Sequence, residues 1–186
     1  RNLLAEKNNY KINEKNKSFE NELHIKSKSS SIKKAVSLIK NSTKVIIIVG
    51  GGIKYNASFK PIIKLAEYLN VPIVTAAGHG DAIPFNHKLN AGQMGPRGNP
   101  VATKLTKEAD VILAIGTRLG FNSTFYSFEN INKRAKIIQV ELEKKMLGRY
   151  FPIKIGINAD AATTANQLLI EFKKQKIKTE VKTWTD

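Results

Sequence analysis

Cysteine is absent from these 186 residues, which excludes disulfides, thiolate nucleophiles and cysteine-based zinc sites together. A cytoplasmic location fits that absence. Long apolar runs are missing too. The greasiest stretch, Val45 to Val49, is bounded by Lys44 and Gly50, so it reads as a buried strand rather than a membrane span, and no membrane partner is expected. Histidine is scarce: His24, His79 and His87 stand at spacings that do not suit a metal site. Ser58, Ser123 and Ser127 lack a nucleophile-elbow pattern, so no catalytic triad is expected. The chain opens Arg1-Asn2-Leu3-Leu4, with no initiator methionine and no apolar leader, and reads as a piece of something longer.

Acidic residues are also in short supply, and the formal net charge is +16. Such a charge invites a nucleic-acid reading through counterion release. The lysines are spread along the whole chain, denser towards both ends, and aromatic rings are not interleaved with them as stacking platforms. A solvated surface is the expectation, with no nucleic-acid partner.

What is present is an alternation of apolar periods. Residues 1–30, rich in Asn, Lys, Ser and Glu, read as a linker. Ile32, Ala35, Val36 and Ile39 stand at helical spacing behind a serine N-cap at Ser30 or Ser31. A β-branched strand, Lys44 to Val49, follows and ends at Gly50-Gly51-Gly52. Then come a helix over Ser58 to Leu69 with Pro61 in its first turn, a strand Pro72 to Thr75, and a glycine-rich loop Ala76 to Asn99. A helix at Val101 to Glu108, a strand Asp110 to Ile115, a loop Thr117 to Lys133, strands Lys136 to Val140 and Ile153 to Ile155, and a closing helix Ala161 to Lys174 complete the series. This order predicts a three-layer, Rossmann-like α/β domain over residues 31–176, with five to six parallel strands and right-handed crossovers. Residues 177–186 read as the start of a second linker.

Ligands in such sheets sit at the carboxyl ends of the strands. Gly51, Gly52, Gly116, Thr117 and Arg118 fall there, as does the turn Gly78-His79-Gly80-Asp81. Glycine admits close backbone approach to an anion, and Arg118 can grip one through two hydrogen bonds. The first turn lacks G-x-G-x-x-G spacing, and tight β–α turns account for the same glycines. Asp81, Asp110 and Asp160 read as caps or turn formers. Glu141 and Glu143 suit either a ribose contact or a face in water.

Several segments in order resemble the central domain of thiamine-diphosphate enzymes of the acetolactate synthase group. They include Val49-Gly-Gly-Gly52, Leu65 to Val74, Gly80-Asp-Ala-Ile-Pro84, Gly92-Gln-Met-Gly95, Ala109 to Leu119, Ala135 to Leu142 and Ile155 to Asp160. The likeness covers about residues 32–172, and within the group Gly116 to Gly120, Lys145 to Gly148 and Lys154 to Ile157 most resemble sulfoacetaldehyde acetyltransferases. The resemblance implies that thiamine diphosphate and Mg2+ serve the parent protein but are bound by its pyrimidine- and diphosphate-binding domains, outside this chain. Those two domains become expected partners, and a homodimer or homotetramer the expected assembly. This domain's share is scaffolding, with one loop, around Gly92 to Gly98, reaching towards the active site through Gly92, Gln93 and Met94, and no catalytic residue. Some relatives hold FAD or an ADP-type ligand on this fold. Gly120 stands where FAD-binding relatives carry an acidic residue, and Val140-Glu141-Leu142-Glu143 replaces the usual Val-Asp-Ile-Asp, which weighs against FAD.

Overall fold

A computed structural model describes residues 25–54 and 59–177. Six strands form one all-parallel sheet: β1 (Val45–Val49), β2 (Ile73–Thr75), β3 (Asn90–Gln93), β4 (Val111–Ile115), β5 (Lys136–Glu141) and β6 (Ile155–Asn158). Their spatial order is β3-β2-β1-β4-β5-β6, the doubly wound arrangement in which the chain runs outward from β1, then returns to β4 and runs the other way. The three-layer Rossmann-like expectation is met.

The sheet holds together because its central strands are apolar on both faces. In β1, Val45, Ile47 and Val49 enter one core while Ile46 and Ile48 enter the other, and β4 divides likewise into Val111, Leu113 and Ile115 against Ile112 and Ala114. Helices α1 (Ser29–Lys40), α2 (Phe59–Leu69) and α5 (Ala161–Lys174) cover the first face. Helix α3 (Pro100–Glu108) covers the second, together with Leu119, Ile131 and Phe151 from the loops. The Asn99 side chain caps α3 by accepting from Val101 N, and Asp160 caps α5 by accepting from Thr163 N.

Several expectations need correction. The proposed Ser30 or Ser31 cap is not used, because α1 begins earlier: Lys28 holds the N-cap position with no side-chain hydrogen bond. Ser58 lies outside the described residues, as do residues 1–24 of the expected first linker and 178–186 of the second. Strand β3 lies inside the expected loop Ala76 to Asn99: as a half-buried edge strand, Asn-Ala-Gly-Gln carries no apolar period to betray it. The last strand runs Ile155–Asn158, about two residues later than the Ile153 to Ile155 reading, since pairing with β5 begins at Ile138 opposite Ile155. Loop Thr117 to Lys133 contains a short helical turn, α4 (Phe121–Thr124).

The described span is packed at both ends. Ser27 is buried and exchanges hydrogen bonds with Gln167 on α5, donating its N–H to Oε1 at 3.0 Å and accepting from Nε2 at 3.1 Å. At the other end Ile177 is buried in the first core.

Candidate functional site

Registers bring the strand ends level. Val49 pairs with Thr75 on one side and Ile115 on the other, and Ile115 pairs with Val140. The chain therefore leaves β1, β2, β4 and β5 along one edge, where the winding direction reverses. A crevice of about 410 Å³ opens there, within the range of small-molecule sites. Gly51, Gly52, Gly116, Thr117 and Arg118 line it, so five of the eight residues expected from sequence do come together.

The other three lie elsewhere. Gly92, Gln93 and Met94 do not line the crevice. Met94 is buried in the second core with 1% exposure, so its side chain packs rather than reaching outward. Gln93 accepts a hydrogen bond from Gly78 N at 3.1 Å, tying β3 to the loop after β2. Gly92 holds φ +90, and a Cβ there would lie 2.9 Å from Asn99 Cβ.

The crevice floor is built by backbone pressed on backbone. Gly50 N donates to Ile115 O at 3.2 Å, and Gly52 N donates to Gly116 O at 2.9 Å. A Cβ on Gly52 would meet Gly116 Cα at 2.7 Å. Gly52 therefore spends its N–H on the neighbouring strand end, and the segment after β1 is a three-residue 3-10 turn, Gly51–Ile53, rather than the start of a long helix. The dinucleotide arrangement of a glycine turn feeding straight into a helix N-terminus is not built among the described residues. Arg118 is exposed at the rim and is the cation an anionic group would meet. Thr117 is buried, its hydroxyl accepting from Leu119 N at 3.2 Å.

Four further residues contribute, of which only His79, in the turn after β2, stands at a strand end marked by the sequence. His79 lies across Gly51, where a Cβ would touch the ring at 2.7 Å, so glycine is needed for the imidazole to lie there. Phe121 and Asn122 enter from α4, and Ser123 joins them, its hydroxyl accepting from Ala77 N at 2.9 Å. Glu141, weighed as a ribose contact, also lines the crevice, with Oε1 accepting from Leu142 N at 3.0 Å and Glu143 N at 3.3 Å. Asp110 is not used as a local cap: its carboxylate accepts from Thr43 N and Lys44 N, 67 and 66 residues away, and ties the start of β4 to the start of β1. Asp81 instead forms an ion pair with Lys54 that joins the turns after β1 and β2.

Burial pushes the His79 imidazole below its ordinary value of 6.5; the Lys54 charge acts in the same direction and Asp81 opposes it. Its Nδ1 is buried without a hydrogen-bond partner. Folding therefore favours the neutral ring. The stability that a neutral His79 confers is full above its unfolded-state value near 6.5 and is lost as pH falls below it towards the lowered folded value. Thermal melts at pH 7.5 and 5.5 should show a larger acid-induced fall for the native chain than for His79→Gln. Equal falls would contradict this.

Among the described residues, no group of three or more His, Asp or Glu is placed to hold a metal ion. No described helix is long and apolar enough to cross a membrane.

Comparison with known proteins supplies the family. Residues 32–168 match the family described as thiamine pyrophosphate enzyme, central domain. The sulfoacetaldehyde acetyltransferase of Alcaligenes xylosoxydans xylosoxydans is 37% identical over 141 residues, covering 75% of this chain and 23% of that protein. Its counterpart from Castellaniella defragrans is 36% identical over 142 residues, 75% of this chain and 24% of that one. A probable acetolactate synthase large subunit from Methanocaldococcus jannaschii is 30% identical over 155 residues, 83% of this chain and 26% of that one. The chain thus spans about a quarter of the length of these relatives. It belongs to the thiamine pyrophosphate enzyme family and corresponds to its central domain.

Proposed function

We propose that this chain is the central domain of a thiamine-diphosphate-dependent acetyltransferase that converts sulfoacetaldehyde and phosphate to acetyl phosphate and sulfite. The observation that carries this reading is the run of relatives named sulfoacetaldehyde acetyltransferase at 33–37% identity, against 30% for those named acetolactate synthase. Thiamine diphosphate supplies the carbanion chemistry when bound. The residues described here do not fit a site for it: the crevice presents Arg118, a buried Thr117 hydroxyl and Glu141, with no carboxylate cluster to hold Mg2+ and diphosphate. Cofactor and metal belong to the pyrimidine- and diphosphate-binding domains of the parent protein, which acts in the cytoplasm as a homodimer or homotetramer. This domain spaces and orients those two.

The full-length enzyme, supplied with thiamine diphosphate and Mg2+, should release sulfite from sulfoacetaldehyde in a phosphate-dependent manner. Acetolactate formation from pyruvate together with flavin absorbance would replace this reading with an FAD-containing acetolactate synthase. The crevice itself takes an anionic ligand weakly, because Arg118 is its one exposed cation among the lining residues and fixed contacts are few. Calorimetry of this chain with ADP or FAD should give dissociation constants weaker than about 10 µM, equivalent to roughly 7 kcal/mol. Submicromolar binding lost in Arg118→Ala would show a built nucleotide site and favour a nucleotide-binding module.

A further inference from the structure

Beside the crevice mouth lies a group of aromatic rings that the described residues leave uncovered. Phe121, Phe125, Tyr126 and Phe128 are each between 41% and 52% exposed. Phe121 joins two of the others, meeting Phe125 edge-on at 5.1 Å and Tyr126 at 5.6 Å, and Tyr126 stacks on Tyr150 at 4.5 Å. Arg149 lies 5.6 Å from the Tyr150 ring centre. Isolated exposed rings are ordinary, whereas contiguous ones mark a contact surface.

The rings are also held out against local preference. Phe125 and Tyr126 both take left-handed backbone, at φ +51 and +55, where bulky residues are outliers. Thr124, which is fully buried, sustains it. Its hydroxyl donates to Leu119 O at 3.0 Å or Gly120 O at 3.1 Å and accepts from Tyr126 N at 3.1 Å, while Asn130 Nδ2 donates to its carbonyl at 3.3 Å. Strain that surrounding bonds over-determine is the kind retained for use.

We infer that Phe121, Phe125, Tyr126 and Tyr150 form a docking surface for another folded domain of the same polypeptide, one presenting an apolar face with a carboxylate to meet Arg118 or Arg149. Three observations favour that occupant. The matched relatives extend over about four times the length this chain covers, so most of the parent is protein outside it. The surface is continuous with the crevice through Phe121. Its composition, Phe, Tyr and Arg, is that of the core of protein–protein interfaces, where such residues carry most of the binding energy. The occupant rests on the proposed parent enzyme; the exposed surface does not.

Hydroxyl-radical footprinting tests it on the full-length enzyme and on this 186-residue chain side by side. Oxidation of Phe121, Phe125 and Tyr126 should be at least about threefold slower in the full-length enzyme, while sedimentation shows the shorter chain monomeric. Equal oxidation in both would overturn the inference. So would protection in the shorter chain, either as a monomer, in which case its own residues cover the rings, or as a dimer, in which case a second copy is the occupant. Labelling reads ring exposure and not turnover, so failure to release sulfite in the full-length enzyme would count against the proposed activity alone.

Discussion

Gly116→Ala should lower the melting temperature of this chain by about 6–12 °C, corresponding to about 3 kcal/mol at its size. Two effects add. Gly116 holds φ +60, a conformation costing other residues roughly 1–2 kcal/mol. A Cβ there would also lie 2.9 Å from Gly52 Cα and carbonyl carbon, backbone atoms that cannot rotate away. The protein contains its own controls. Gly78, at φ +81 with nothing within 4 Å of a Cβ, isolates the backbone effect and should lose only about 1 kcal/mol on substitution by alanine. Gly52, with a Cβ contact of 2.7 Å to Gly116 Cα and no left-handed backbone, isolates the clash. Gly120, with neither, should be neutral or slightly stabilised. Chemical denaturation of the four variants checks the ranking Gly116 worst and Gly120 mildest. A Gly116 variant no worse than the Gly78 variant would show that the two strand ends separate easily.

Phe172→Ala should remove about 3–5 kcal/mol. The ring is fully buried on α5, the helix that packs against both α1 and α2 over the first face of the sheet. Truncation removes apolar contact and leaves a cavity that strands on one side and helices on two others cannot collapse to fill. Phe172→Leu, retaining most of the volume, should lose less than roughly half as much. Ile170→Ala, on the same helix but 65% exposed, should stay within about 0.5 kcal/mol of the native chain. Urea titrations would settle the order, and comparable losses at 170 and 172 would mean that α5 is docked in a different rotation.

How far the fold was legible depended on which period each segment carried. Val45 to Val49 and Val111 to Ile115 were plain because a strand buried on both faces is an unbroken apolar run. Helices α2 and α5 announced themselves by apolar residues at helical spacing, with Asp160 in the N-cap place of α5. Strand β3 could not be seen. Its residues are half-buried at the sheet edge, so no alternation was required of them, and only pairing with Ile73 and Thr75 makes them a strand. The site was half legible for a similar reason. Glycines at strand ends are visible in a sequence, and so is an arginine two residues beyond one of them. Nothing local shows that His79 lies on Gly51, or that the Ser123 hydroxyl reaches Ala77 N across 46 residues. At Met94 the side chain is taken up by the second core, which its neighbours Gln93 and Gly95 do not announce. The aromatic turn after Arg118 is illegible in the sequence because it depends on left-handed backbone at Phe125 and Tyr126, which Ser-Thr-Phe-Tyr does not advertise.

In the proposed enzyme this chain is a scaffold, and its cofactor is held elsewhere in the same protein. Titration calorimetry with thiamine diphosphate and Mg2+ addresses it most directly, run once on the 186-residue chain and once on the full-length enzyme. Saturable binding to the full-length enzyme and no measurable heat of binding to the shorter chain is the predicted result. Tight binding of thiamine diphosphate by the shorter chain alone would contradict it.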